Sequence, residues 1–155
     1  MKKYKLQDSN LTLREGIKEL RQAEQATSTD MALTLDSEMA ATMASHDATH
    51  VIFGCDTDMA DEALAHFVMI FGSTVKISDL KKTARNKAHK EVIGTHNKFD
   101  IFKVLLGVIP DLVSVLRLSR NMKKKWLWFG FEPYLDMPLA KIREEFGIKT
   151  ISRSP

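Results

Sequence analysis

Histidines and acids lie close together in one helix-forming segment, between apolar residues that are typical of a core. His46 and His50 are four residues apart, Glu62 follows twelve residues later, and His66 comes four residues after it. Residues four apart on a helix project from one face, so the two imidazoles can contact a single cation. Such groups cost free energy to bury unless something satisfies them. The polar side chains of this segment are therefore exposed to solvent, or they converge on a ligand.

A carboxylate at the edge of the histidine face extends this candidate set. Asp47 lies about 100° around the helix from His46. There it can coordinate a metal directly, or it can accept a hydrogen bond from a residue that does and so orient that residue. An antiparallel helix pair would bring Glu62 back against the histidines. Two imidazoles with one or two carboxylates suit zinc, and also non-haem iron with open coordination positions. His66 can be a further ligand or the partner of Glu62.

Composition narrows the class of protein. The chain has 155 residues, 44% hydrophobic and 28% charged, which is ordinary for one soluble domain with a core. The net charge of +3 comes without a recognised nucleic-acid motif, so no nucleic-acid partner is expected. Cys55 is the single cysteine, which excludes an intrachain disulfide and a cysteine-only metal site. A reducing compartment, and hence a cytoplasmic location, fits best.

Neither a signal peptide nor a membrane-spanning helix is expected. The first residues are basic but lack the apolar run of a signal peptide. The apolar run Ile101–Leu118 contains Lys103, Asp111 and Arg117, whereas a membrane span carries few or no charges. This run is instead expected to form a core helix, or a helix pair broken near Pro110.

Helix signals dominate the chain and strand signals are weak. Thr12 and Glu15 have the spacing of a capping box. The histidine helix is expected to run from a cap at Asp36 to a stop at Gly54. The next helix is expected to begin at Thr57 or Asp58 and to end somewhere after Gly72. Ser78 is expected to cap a long polar helix, and Pro138 and Gly147 to bound the last helix. The fold class is all-α: a single domain of about six helices over residues 1–155, with its core at about 11–148 and the metal motif on an antiparallel helix pair.

The spacing of the motif resembles that of a known family. His46-Asp47-Ala48-Thr49-His50, then eleven residues and Glu62, is similar to the metal motif of the coenzyme Q (ubiquinone) biosynthesis protein four family. The chain resembles a short bacterial-type member, from about Asp36 to Ile148. The similarity is strongest at the motif and near the end of the chain, where it includes Trp126, Trp128, the segment from Leu135 to Leu139 and the segment from Ile142 to Ile148.

The resemblance implies a metal-dependent function. The family motif is held to bind a divalent metal, which implies His46, Asp47, His50 and Glu62 as ligands, with zinc as the metal and iron as the alternative. Asp47 and Glu62 are the implied catalytic residues. The implied activity is that of a lyase or decarboxylase on a prenylated hydroxybenzoate, at the step that removes the ring carboxyl and hydroxylates that carbon.

The same resemblance implies a lipid-associated setting. It implies a homodimer that lies on a membrane surface, cytoplasmic and peripheral on the inner membrane. The expected partners are an isoprenoid quinone precursor and other quinone-biosynthesis enzymes. Basic and aromatic residues from Arg117 to Phe131 suit an interface with anionic lipid, although basic residues are also common at a solvated helix end.

Two other hypotheses remain open. The first is a non-catalytic isoprenoid-lipid-binding scaffold that organises other enzymes. A structural zinc closes its coordination with protein ligands, whereas a catalytic zinc keeps a water position. The second is a phosphohydrolase with a His-Asp pair, which is weaker because His89 and His96 have no acids at useful spacing.

The apolar run Ile101–Leu118 can line a tunnel for a prenyl tail or pack as ordinary core.

Overall fold

The computed structural model describes residues 2–25, 37–76, 78–79, 107 and 109–151. Within these residues the protein is helical and has no β-strand, which confirms the all-α class. Five α-helices are described, where about six were expected. They are α1 (Leu13–Gln25), α2 (Ser37–Phe53), α3 (Met59–Gly72), α4 (Ile109–Asn121) and α5 (Leu139–Phe146).

Some of the expected elements lie outside the described residues. These are the Asp36 cap, the polar helix after Ser78, and residues 101–106 and 108 of the apolar run. Among the described helices, none is long and apolar enough to cross a membrane.

Local capping chemistry sets the ends of the first three helices at the predicted positions. The Thr12 N–H donates to Glu15 Oε2 at 2.8 Å, and the Glu15 N–H donates to Thr12 Oγ1 at 3.2 Å. The Asp58 carboxylate accepts from two N–H groups in the first turn of α3. Gly54 follows α2 with a φ of 75°, a left-handed conformation that glycine adopts without steric strain.

Proline and glycine bound the last two helices, as the sequence predicts. Pro110 is the second residue of α4, and Pro138 is the N-cap of α5. Gly147 ends α5 with a φ of 70°. A Cβ at Gly147 would lie 2.8 Å from the backbone nitrogen of Lys123, so this close approach requires glycine.

Helices α2 and α3 form the predicted antiparallel pair. His50, near the end of α2, contacts Glu62 at the start of α3. His46, one turn earlier, also contacts Glu62 and lies beside His66, one turn further along α3. Helix α1 packs on α2, and α4 packs on α3. The buried core includes Leu13, Leu20, Val51, Ile52, Leu64, Val68, Val115, Trp126, Ile142 and Phe146.

A buried arginine joins α5 to α2 and to the N-terminal segment. Arg143 is fully buried. Because the last carbonyls of a helix have no intrahelical partner and carry partial negative charge, a cation is favoured there. Burial lowers the pKa of Arg143 to about 10, so the guanidinium stays protonated at neutral pH. It donates to the backbone carbonyls of Tyr4, Leu6, Gln7, Val51 and Ile52.

Candidate metal centre

Two imidazoles and one carboxylate meet between α2 and α3. His46 Nε2 lies 3.5 Å from Glu62 Oε2, and His50 Nε2 lies 3.4 Å from Glu62 Oε1. One ligand atom from each of the three residues can be chosen so that all lie within 4.8 Å of one another. Two ligands of a tetrahedral zinc ion, each about 2.1 Å from it, are about 3.4 Å apart. The group can therefore hold a metal ion.

His50 is the inner member of this group. Its side chain is 1% exposed, and neither ring nitrogen has a hydrogen-bond partner among the described residues. Most buried polar atoms in proteins are paired, and an unsatisfied one costs about 1–3 kcal/mol. The side chains of His46 and Glu62 are 20% and 32% exposed, so the group opens to solvent on their side. His50 Nε2 contacts Glu62 without a hydrogen bond, and a metal ion between them would give this nitrogen a direct bond.

The electrostatics of the metal-free group favour an ion pair. Burial lowers the pKa of His46, but the neighbouring carboxylates of Asp47 and Glu62 raise it by more, to about 9. Burial raises the pKa of Glu62, whereas the two imidazoles lower it to well below its usual range. At neutral pH a protonated His46 therefore faces an ionised Glu62. A divalent cation would replace that proton, because metal ligands must be deprotonated.

Asp47 lies beside the Nδ1 side of His46, whereas Glu62 faces Nε2 of the same ring. Its Oδ2 accepts from Arg21 Nε at 2.7 Å, and Arg21 belongs to α1. Its Oδ1 lies 3.9 Å from His46 Nδ1, which is the ring nitrogen on the far side from Glu62. The structure thus brings together His46, His50 and Glu62 and places Asp47 beside one of them. The catalytic roles of Asp47 and Glu62 remain predictions.

His66 and Cys55 lie next to the group without joining it. The His66 ring centroid is 5.7 Å from that of His46, and His66 Nδ1 is 2.7 Å from the Glu62 carbonyl oxygen. A carbonyl can only accept, so Nδ1 carries the proton. Cys55 is buried in the turn after α2, and burial raises the pKa of its thiol. It packs as a protonated thiol. His89 and His96 lie outside the described residues.

Arg21 is the residue of this site that the sequence analysis did not identify. Arg14, Lys18 and Arg21 are spaced four and three residues apart, so they share one face of α1. This row of cations on one helix face is the sequence pattern that could have identified Arg21 as part of a site. The three side chains line a groove of about 570 Å³ together with Ile17, Gln22, Ala44, Phe131, Glu132 and Leu135.

No protein-family model matches the chain, and neither does any curated protein or solved structure. What the protein does is therefore inferred from the side chains of this site and from the resemblance of its motif.

Proposed function

We propose that the protein binds a divalent metal through His46, His50 and Glu62 and acts on a polyprenylated aromatic acid in ubiquinone biosynthesis. The observation that carries the metal site is the buried imidazole of His50, which faces two other metal-ligating groups and has no hydrogen-bond partner among the described residues. Three protein ligands leave coordination positions for substrate or water. Zinc is the proposed metal, and non-haem iron is the alternative for a set of two histidines and one carboxylate.

The basic groove beside the site supports an acidic substrate with an apolar body. Ile17, Phe131 and Leu135 provide apolar surface, and Lys18 and Arg21 provide positive charge. A ring carboxylate is attracted to such cations, while the ring packs against apolar side chains. Arg21 lines this groove and also donates to Asp47, the sequence neighbour of His46, so it connects the groove to the proposed metal site.

The proposed reaction is the loss of the ring carboxyl group. The bond between the ring and the carboxyl carbon breaks, carbon dioxide leaves, and the ring carbon takes a proton in its place. A bound metal supplies Lewis-acid polarisation of the substrate carboxylate. The part of the protein is to hold the metal through His46, His50 and Glu62 and to attract the acid through the groove. Hydroxylation of the same carbon needs an added oxidant, and zinc has no redox chemistry, so the zinc form is proposed for loss of the carboxyl group.

A non-catalytic isoprenoid-lipid-binding scaffold at a membrane surface is the second candidate. Helix α4 exposes Ile109 and Val113 by 51% and 56%, next to the exposed Arg117 and Arg120. Apolar side chains beside cations suit an interface with anionic lipid. In this alternative the metal is structural, and the protein, as a homodimer peripheral on the inner membrane, organises other quinone-biosynthesis enzymes.

Elemental analysis of freshly purified protein tests the metal site. We expect about one divalent ion per chain, lost in His50→Ala because this change removes the inner ligand. His66→Gln is the matched control and should keep the metal, since His66 lies outside the ligand group. Wild-type protein that holds no metal, even after incubation with zinc or ferrous iron, would exclude the proposal.

Turnover of a prenylated hydroxybenzoate distinguishes the enzyme from the scaffold. The metal-loaded enzyme should release carbon dioxide from the ring carboxyl, and Glu62→Gln should abolish this release. Glu144→Gln, at an exposed position on α5, is the control and should keep full activity. If metal-loaded wild type releases no carbon dioxide but co-purifies with an isoprenoid lipid, the scaffold is the correct reading.

A further inference from the structure

We infer that Asp47 is a positioning residue for the metal ligand His46, and that Arg21 of α1 fixes the Asp47 carboxylate for this role. The inference rests on the metal site proposed above and deepens it. It assigns to the acid inside the His-Asp-x-x-His motif a role other than direct coordination.

The two oxygens of Asp47 face Arg21 and His46. Oδ2 accepts from Arg21 Nε at 2.7 Å, and Oδ1 lies 3.9 Å from His46 Nδ1. The other ring nitrogen of His46, Nε2, faces Glu62 at 3.5 Å. The imidazole therefore lies between a carboxylate on one side and the candidate metal position on the other.

This order of groups is the usual one for a metal-bound histidine. Such a histidine donates its second ring N–H to a carboxylate, a carbonyl or water, which fixes the tautomer and the orientation of the ring. A shift of about 1 Å would bring Asp47 Oδ1 within hydrogen-bond distance of His46 Nδ1. With the proton held on Nδ1, the lone pair of Nε2 points to the metal.

The packing of α1 on α2 explains why Arg21 can hold Asp47. Gly16 allows the two helices to approach closely, since a Cβ there would lie 2.5 Å from Val51 Cγ1. Leu20, the residue before Arg21, is fully buried. The Asp47 side chain is only 9% exposed, so it needs a charged or hydrogen-bonding partner, and Arg21 is that partner. To coordinate the metal directly, Asp47 would have to abandon this ion pair.

Titration of the metal-free protein with Co²⁺, followed by the d–d absorption bands, tests the inference. Asp47→Asn and Arg21→Ala should each bind Co²⁺ about 10–100-fold more weakly than wild type, with unchanged stoichiometry and band intensity. Arg21→Lys should restore much of the affinity because it keeps a cation at this position. Arg14→Ala is the matched control: Arg14 lies on the same helix as Arg21 but pairs with Asp136 at 2.9 Å and not with Asp47, so affinity should not change.

Three results would contradict the inference. A change of band intensity in Asp47→Asn that indicates a different coordination number would make Asp47 a ligand. Wild-type affinity in Arg21→Ala would show that Arg21 does not act on the site, provided that thermal unfolding confirms that this variant folds. Failure of wild type itself to bind Co²⁺, zinc or ferrous iron would overturn the metal site as well, which separates the two failures.

Discussion

Among the described residues, the side chains of Arg143 and His50 are both buried at the C-terminal end of α2, but their hydrogen bonding differs. Arg143 enters at the C-terminal end, where five backbone carbonyls accept from its guanidinium. His50, inside the last turn of α2, is equally buried, yet neither of its ring nitrogens has a hydrogen-bond partner among the described residues.

The difference separates a structural group from a functional one. A buried polar group whose partners all come from the fold stabilises that fold. A buried polar group that the fold leaves without a hydrogen bond lowers stability, and it points to a functional role where it faces other groups that can bind the same ligand. By this criterion Arg143 holds the chain together, whereas His50 fits the metal site proposed above.

Substitution of Arg143 is expected to give the largest effect. Arg143→Leu removes the donor for five carbonyls, two of them at the end of α2, and should lower the free energy of unfolding by about 3–5 kcal/mol. Urea denaturation followed by circular dichroism measures this change. Arg120→Leu, at an exposed position on α4, is the control and should be nearly neutral. Near-wild-type stability of Arg143→Leu would show that Arg143 does not stabilise the fold, and the contrast with His50 would fail.

Substitution of His50 is expected to change the free energy of unfolding in the opposite direction when metal is absent. In the presence of a chelator, His50→Leu should raise the free energy of unfolding by about 1–2 kcal/mol, because it replaces an unsatisfied buried imidazole with an apolar side chain. With saturating zinc, wild type should instead be the more stable protein, since metal binding stabilises the folded state. Thermal unfolding under both conditions measures the two differences. A destabilised His50→Leu in chelator would mean that His50 has a structural role after all.

The stability of the metal-free site is also expected to depend on pH. The pKa of His46 is raised from 6.5 to about 9, so its stabilising contribution is complete below pH 6.5 and is lost as pH rises through 9. The pKa of Glu62 is lowered from 4.5, so its contribution is present above pH 4.5 and is lost at lower pH. The melting-temperature difference between wild type and His46→Gln should therefore be largest near pH 5.5 and shrink towards pH 9.5.

Saturating zinc should reverse this trend, because the metal binds only the deprotonated imidazole. The difference between wild type and His46→Gln should then grow as pH rises from 6.5 to 9. The same trend with and without zinc would show that the metal does not replace the proton on His46.

The helix boundaries and the meeting of the two histidines with Glu62 follow from local sequence. Thr12 with Glu15, Asp58 and Gly54 act through caps and turns within a few residues of themselves, so their effect can be read from the sequence. Once a short turn joins α2 to α3, the antiparallel pairing brings the ligands together.

The direction of the Asp47 side chain could not be predicted from the local sequence. Its position at the edge of the histidine face allows it to point to the metal or to a neighbouring helix. The deciding group is Arg21, which is 26 residues away in sequence and meets Asp47 only through tertiary packing.

The burial of Arg143 has a local signal in the sequence of α5. Leu139, Ile142, Arg143 and Phe146 are all buried, and their spacing places the arginine on the apolar face of α5. A charged residue within such a stripe indicates a buried cation with fixed partners. Which partners it takes depends on the distant carbonyls of α2 and of the N-terminal segment, which no local pattern reveals.

The large sequence separation of the Arg143 contacts also determines which parts of the fold can form first during synthesis. Arg143 bonds Val51 and Ile52 across 92 and 91 residues, so the histidine helix emerges well before the residue that anchors its end. Contacts of such large sequence separation form late and slowly, because a long loop must first be closed. A growing chain therefore displays the two histidines of α2 before Arg143 can fix the end of that helix.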